Sequence, residues 1–72
     1  MSLTLQKQEA LLLLLYFGDD RNETIRNLRE MQKHLHFDEQ DLRQMADGLI
    51  EKLQKIRDEE FEAALLLAND TL

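Results

Sequence analysis

Apolar residues recur three and four positions apart from Leu42 through Met45, Ala46, Leu49 and Leu53 to Ile56. At the helical turn per residue they fall on one face about 100° wide. The opposite face carries Arg43, Gln44, Asp47, Glu51, Lys52, Gln54 and Lys55 and is expected to be solvated. The spacing predicts a helix over 39–56, with Asp38 as its cap and Asp41 at the positive end of its dipole. Phe37 and Leu42 have the separation of a hydrophobic staple across that cap. Gly48 interrupts the stripe at a cost of about 1 kcal/mol against Ala. It either gives a neighbouring helix room or marks a slight bend.

Upstream, Thr4 is a fair cap for a first helix over 5–17, which Gly18 can end in the left-handed conformation. Within that helix, residues 11–17 read LLLLLYF and are apolar on every side. Asp20 followed by Glu23 has capping-box spacing and opens a second helix over 21–35, with Ile25, Leu28, Met31 and Leu35 inward and an Arg26–Glu30 pair outside. Beyond Ile56 the charged run 57–60 breaks the stripe, and 61–68 is again apolar around most of its circumference. This end is either a separate helix over 58–68, capped by Asp58, or a continuation of the third. The swing of the apolar direction favours a break near 57–58, and 69–72 is expected to fray. The fold expected is therefore all-α: one small domain, 1–72, built as a bundle of three to four helices.

Two greasy segments in so short a chain need more cover than the amphipathic middle offers. They are expected to pack on each other and to leave a candidate interaction surface drawn from Leu12, Leu13, Tyr16, Phe17, Phe61, Leu65 and Leu66. Its occupant would be a second copy, giving a homodimer, or another protein. The alternative is a first helix wholly wrapped by its own chain.

Composition sharpens this picture. At 72 residues with no cysteine, no disulfide or thiolate metal site supports the fold. No proline and two glycines favour helices over sheets. A formal charge of −6 speaks against direct nucleic-acid binding and against an anionic membrane surface. The apolar run 10–17 is far shorter than the roughly 20 residues that span a bilayer, and no signal peptide is visible, so a cytoplasmic protein is expected.

No catalytic residues stand out. The hydroxyls sit in no nucleophile elbow, no Gly-rich phosphate loop is present, and the paired acids fall at helix starts where dipoles explain them. His34 and His36, two apart, match no metal-ligand spacing, and His34 is better read as a dipole partner near a helix C-terminus. No cofactor, no metal site and no enzymatic activity are expected.

An ordered string carries a family resemblance: Tyr16, Arg21, Ile25, Leu28-Arg29-Glu30-Met31, Leu35, Asp38-Glu39, Leu42, Ala46-Asp47, Ile50-Glu51-Lys52-Leu53, Ile56, Asp58, Glu60-Phe61 and Ala63-Ala64-Leu65. In register from Tyr16 to Leu65 it resembles the transposon-transfer assisting proteins, small proteins of bacterial conjugative transposons. The chain departs from that pattern with Asp19-Asp20 where Gly-Ser is usual, and with Arg57 where a small hydroxyl residue would cap a last helix. The resemblance implies a non-enzymatic accessory of conjugative transfer, with no catalytic or binding residues to carry over. Two functions follow as expectations: an adaptor working through protein–protein contacts, or a nucleic-acid-associated regulator or acidic DNA mimic. The interleaving of Glu51, Lys52 and Lys55 favours the adaptor.

Overall fold

In the computed structural model, which describes residues 3–72, the chain forms four α-helices and, among the described residues, no strand. They are α1 Lys7–Tyr16, α2 Arg21–Gln32, α3 Gln40–Lys55 and α4 Phe61–Thr71, with a 3-10 turn Asp58–Glu60 leading into α4. α1 packs on all three other helices, most extensively on α4, while α2 packs on α3. The two greasy segments thus clasp each other, as their composition requires.

The start of α2 forms with the cap residue that the sequence predicts. Asp20 is extended, and its carboxylate accepts from the Glu23 N–H at 2.7 Å. Glu23 reaches back to the Asp19 N–H rather than to that of Asp20. The break before α4 is also as expected: Ile56 and Arg57 are both extended, turning the chain before the 3-10 turn begins. Arg57 has no acceptor to cap with, so the Glu60 carboxylate caps instead, accepting from the Arg57 N–H at 2.8 Å. A last helix therefore forms without the hydroxyl residue.

Other helix ends differ from the sequence reading. α1 starts at Lys7, not at 5; Gln6 is its cap residue, and the Glu9 carboxylate accepts from the Gln6 N–H at 2.8 Å. α2 ends at Gln32, followed by turns at 33–34 and 37–38. Asp38 does not cap α3: Glu39 is the cap residue, and its carboxylate accepts from the His36 N–H. The staple is absent as well, because Phe37 is 88 % exposed and Leu42 lies at the surface. Glu30 pairs with Lys33 at 3.3 Å and approaches His34 instead of pairing with Arg26. The C-terminus does not fray early; α4 runs to Thr71, whose hydroxyl donates to the Leu67 carbonyl.

Gly18 does not take the left-handed conformation. α1 ends because Phe17 is extended, and Gly18 is needed for close approach: a Cβ there would lie 2.6 Å from the Glu23 side chain. Its N–H donates to the Thr24 hydroxyl, which itself donates to the Asp20 carbonyl, so the buried Thr24 is satisfied.

The core joins Leu12 and Leu13 of α1, Ile25 and Leu28 of α2, Leu49 and Leu53 of α3, and Phe61 and Ala64 of α4. Full burial of one such leucine contributes about 1.5–3 kcal/mol. The small residues Ala10, Ala46, Ala64 and Ala68 lie at the helix contacts. Ile50, which the stripe omits, is also buried.

Candidate functional site

A concavity lies where residues 3–4 cross the junction of α3 and α4. Lys52 and Lys55 occupy the last turn of α3, where cations suit the negative end of the helix dipole. Lys52 is not merely solvated. Its ammonium donates to the Thr4 carbonyl at 2.8 Å and to the Glu9 carboxylate at 2.7 Å. Those bonds hold the segment around Leu3 and Thr4 against α3.

Between this strap, Ile56 and α4 opens a groove of about 770 Å³. Leu3, Ile56, Ala63, Ala64 and Leu67 give it an apolar floor, and Lys52, Lys55, Arg57 and Glu60 stand at its edge. Ala63 is exposed within it. Lys55 pairs with Glu51 at 3.0 Å and Arg57 with Glu60 at 3.5 Å. Both pairs are largely exposed, and such pairs contribute little, so either cation can turn to another anion at small cost. The backbone N–H of Arg57, ahead of the guanidinium charge, holds the Glu60 carboxyl below the ordinary carboxylate range. Glu60 is therefore an anion at neutral pH and part of the frame.

The sequence-derived surface residues separate under this geometry. Leu12, Leu13 and Phe61 are buried core residues. Tyr16 and Leu65 are half-buried against the core. Phe17 and Leu66 remain exposed at 49 % and 62 %, joined by Leu11 and by Leu15 at 71 %. Leu11 and Leu15 stand one turn apart, so α1 is wrapped on three sides and open on the fourth. None of the seven lines the groove. The groove residues escaped the sequence reading because Lys52, Lys55 and Arg57 looked like solvent-facing charges. The helix break after Ile56 was the one signal that a hollow would form there.

Among the described residues, no group of three or more His, Cys, Asp or Glu is placed to hold a metal ion. Among the same residues, no helix is long and apolar enough to cross a membrane. No curated protein and no solved structure matches the chain. The family model described as "Putative transposon-transfer assisting protein" matches residues 4–68, and the chain belongs to that family.

Proposed function

We propose that this protein serves transposon transfer as a non-catalytic cytoplasmic adaptor, docking a short segment of a partner protein in the groove between Leu3, the end of α3 and α4. Family membership suggests the role in transfer. The single observation that carries the docking reading is the groove's make-up: an apolar floor beneath three cations in a chain of net charge −6. Its volume lies within the roughly 300–1,000 Å³ of sites that enclose side chains or small ligands. The complementary occupant is an amphipathic segment offering apolar residues to the floor and a carboxylate to Lys55 or Arg57.

Ala63 provides the test, because it is exposed inside the groove and absent from the buried core. Ala63→Arg fills the hollow and should lower the element's transfer frequency at least tenfold while the melting temperature stays within a few degrees. A photocrosslinking residue at 63 should trap one defined protein that the same residue at 41 does not. Wild-type transfer by Ala63→Arg would overturn the reading.

A further inference from the structure

A second hollow, of about 500 Å³, lies between α2 and the end of α3, lined by Arg21, Asn22, Ile25, Arg26, Arg29 and Gln54. Three of the chain's nine lysines and arginines line this one cleft, and no carboxylate does. Arg21 is already committed. Its Nε lies 2.8 Å from the Asp58 carboxylate and its Nη1 donates to the Leu53 carbonyl at 3.0 Å.

Arg26 and Arg29 are different. Ion pairs among the described residues take their cations from Arg21, Lys33, Lys52, Lys55 and Arg57, with His34, and neither Arg26 nor Arg29 joins them. They stand one turn apart on α2. Asn22, a turn before Arg26, is on the same face, and Gln54 faces the cleft from α3. No intramolecular hydrogen bond engages the side chains of Asn22 or Gln54 among those of the described residues. Two uncommitted guanidinium forks and two amides that can each turn an NH2 inward surround a small floor at Ile25. Two cations flanked by amides whose NH2 groups can turn inward complement an oxyanion, and several donors from different directions suit the many oxygens of a phosphate better than the two of a carboxylate.

We infer that the Asn22–Arg26–Arg29–Gln54 cleft binds the phosphate group of a small phosphate-bearing molecule of up to mononucleotide size. Scale and surroundings both favour a small ligand over a nucleic-acid strand. The hollow falls in the size range of small-ligand sites. A long polyanion would also have to run past Asp20, Glu23 and Glu30 on the same helix region, on a chain of net charge −6. This site is separate from the groove beside Ala63, with which it shares no lining residue.

The test is NMR titration of the full chain, reading the Arg26 and Arg29 Nε–H signals. The additions are inorganic phosphate, adenosine monophosphate, sodium acetate at matched ionic strength, and single-stranded oligonucleotides of two lengths. Adenosine monophosphate should shift these signals saturably, with at least tenfold weaker binding in an Arg26→Gln/Arg29→Gln variant that keeps its other amide shifts. Asn22→Asp, which adds one negative charge to the cleft, should weaken binding by a similar factor. Inorganic phosphate as tight as the nucleotide identifies the phosphate alone as the recognised group; a weaker response adds a contribution from the organic part, and either supports the site. Equal shifts with acetate, no saturation, or affinity that climbs with oligonucleotide length would overturn it.

Discussion

The Lys52 ammonium lies 2.7 Å from the Glu9 carboxylate, joining the last turn of α3 to the first turn of α1 across 43 residues of sequence. Glu9 is 3 % exposed and takes a second bond from the Gln6 N–H, so one carboxylate closes a helix start and anchors a lysine. Lys52 in turn holds the Thr4 carbonyl, and with it one wall of the groove.

Lys52→Met is expected to destabilise the fold by about 2 kcal/mol, because it strands a buried carboxylate. In a domain of this size that lowers the melting temperature by roughly 10 °C. Glu9→Met/Lys52→Met removes both charges and should recover most of the loss. Chemical denaturation of the two single variants and the double variant gives the coupling. Additive effects would show that the pair contributes nothing of its own.

Gly48 sits opposite the same carboxylate: a Cβ at this position would stand 3.2 Å from Glu9 Oε2. In an exposed helix, Gly→Ala gains about 1 kcal/mol. Here the crowded oxygen belongs to a carboxylate pinned by Lys52 and Gln6, so it yields poorly. Gly48→Ala should therefore give no gain in the native background and a gain of about 1 kcal/mol when Glu9 is Ala. Equal stabilisation in both backgrounds would remove Glu9 as the reason for glycine.

Gly18 is held to glycine by a different neighbour. A Cβ would meet Glu23 Cγ at 2.6 Å and Cδ at 2.8 Å, closer than those atoms can stand. Gly18→Ala should cost about 1–3 kcal/mol, the range for overpacking, and should expose the Asp19 N–H that Glu23 now accepts from. Pairing it with Glu23→Ala opens the space and should recover more than half of that loss. Faster amide exchange at Asp19 in the single variant is the local readout.

What the sequence discloses here is what neighbours in sequence decide. Asp20 and Glu23 are three apart, and the cap forms. The stripe from Ala46 to Leu53 is periodic, and its central residues are buried. The swing of the apolar face after Ile56 announces the break. What stays hidden is how the C-terminal ends of the helices are satisfied. Asn27 donates to the Tyr16 carbonyl at the end of α1, Arg43 to the Gln32 carbonyl at the end of α2 and Arg21 to the Leu53 carbonyl in the last turn of α3, while Lys52 holds the Thr4 carbonyl ahead of α1. Each of these donors lies at least 11 residues from its acceptor. Caps supplied by tertiary contact leave no local motif, so Lys52 and Arg21 read as surface charges. The staple fails for the complementary reason: Phe37 and Leu42 have the right separation, but α3 starts at Gln40 and Phe37 finds no cover. The groove and the arginine cleft inherit that invisibility, since each lies between elements distant in sequence.

The exposed leucines of α1 make a further expectation. Leu15 is 71 % exposed, so Leu15→Lys should change stability by no more than about 0.5 kcal/mol. If a second copy covers this face, the same variant should shift the chain from dimer to monomer in sedimentation equilibrium. An unchanged mass would assign any dimer to another surface.

Glu60 sets a pH dependence whose sign follows from its two partners. The Arg57 N–H, and after it the Arg57 guanidinium, favour the charged carboxylate in the folded chain, which lowers its pKa below the unfolded value of about 4.3. A carboxyl lowered by folding contributes stability that is whole above that value and disappears as pH falls toward the folded pKa. Glu60→Gln should therefore be less stable than the native chain at neutral pH and converge with it in acid, with the difference closing below about pH 4.3. The order of causes can be separated. Arg57→Ala keeps the N–H and should retain most of the lowering, measured by carboxyl NMR shifts against pH. Arg57→Pro removes the N–H at a site where Ile56 is already extended, as a residue before proline must be. It should abolish most of the lowering and loosen the start of α4. If Arg57→Ala instead removed the whole effect, the guanidinium and not the backbone would hold this helix start.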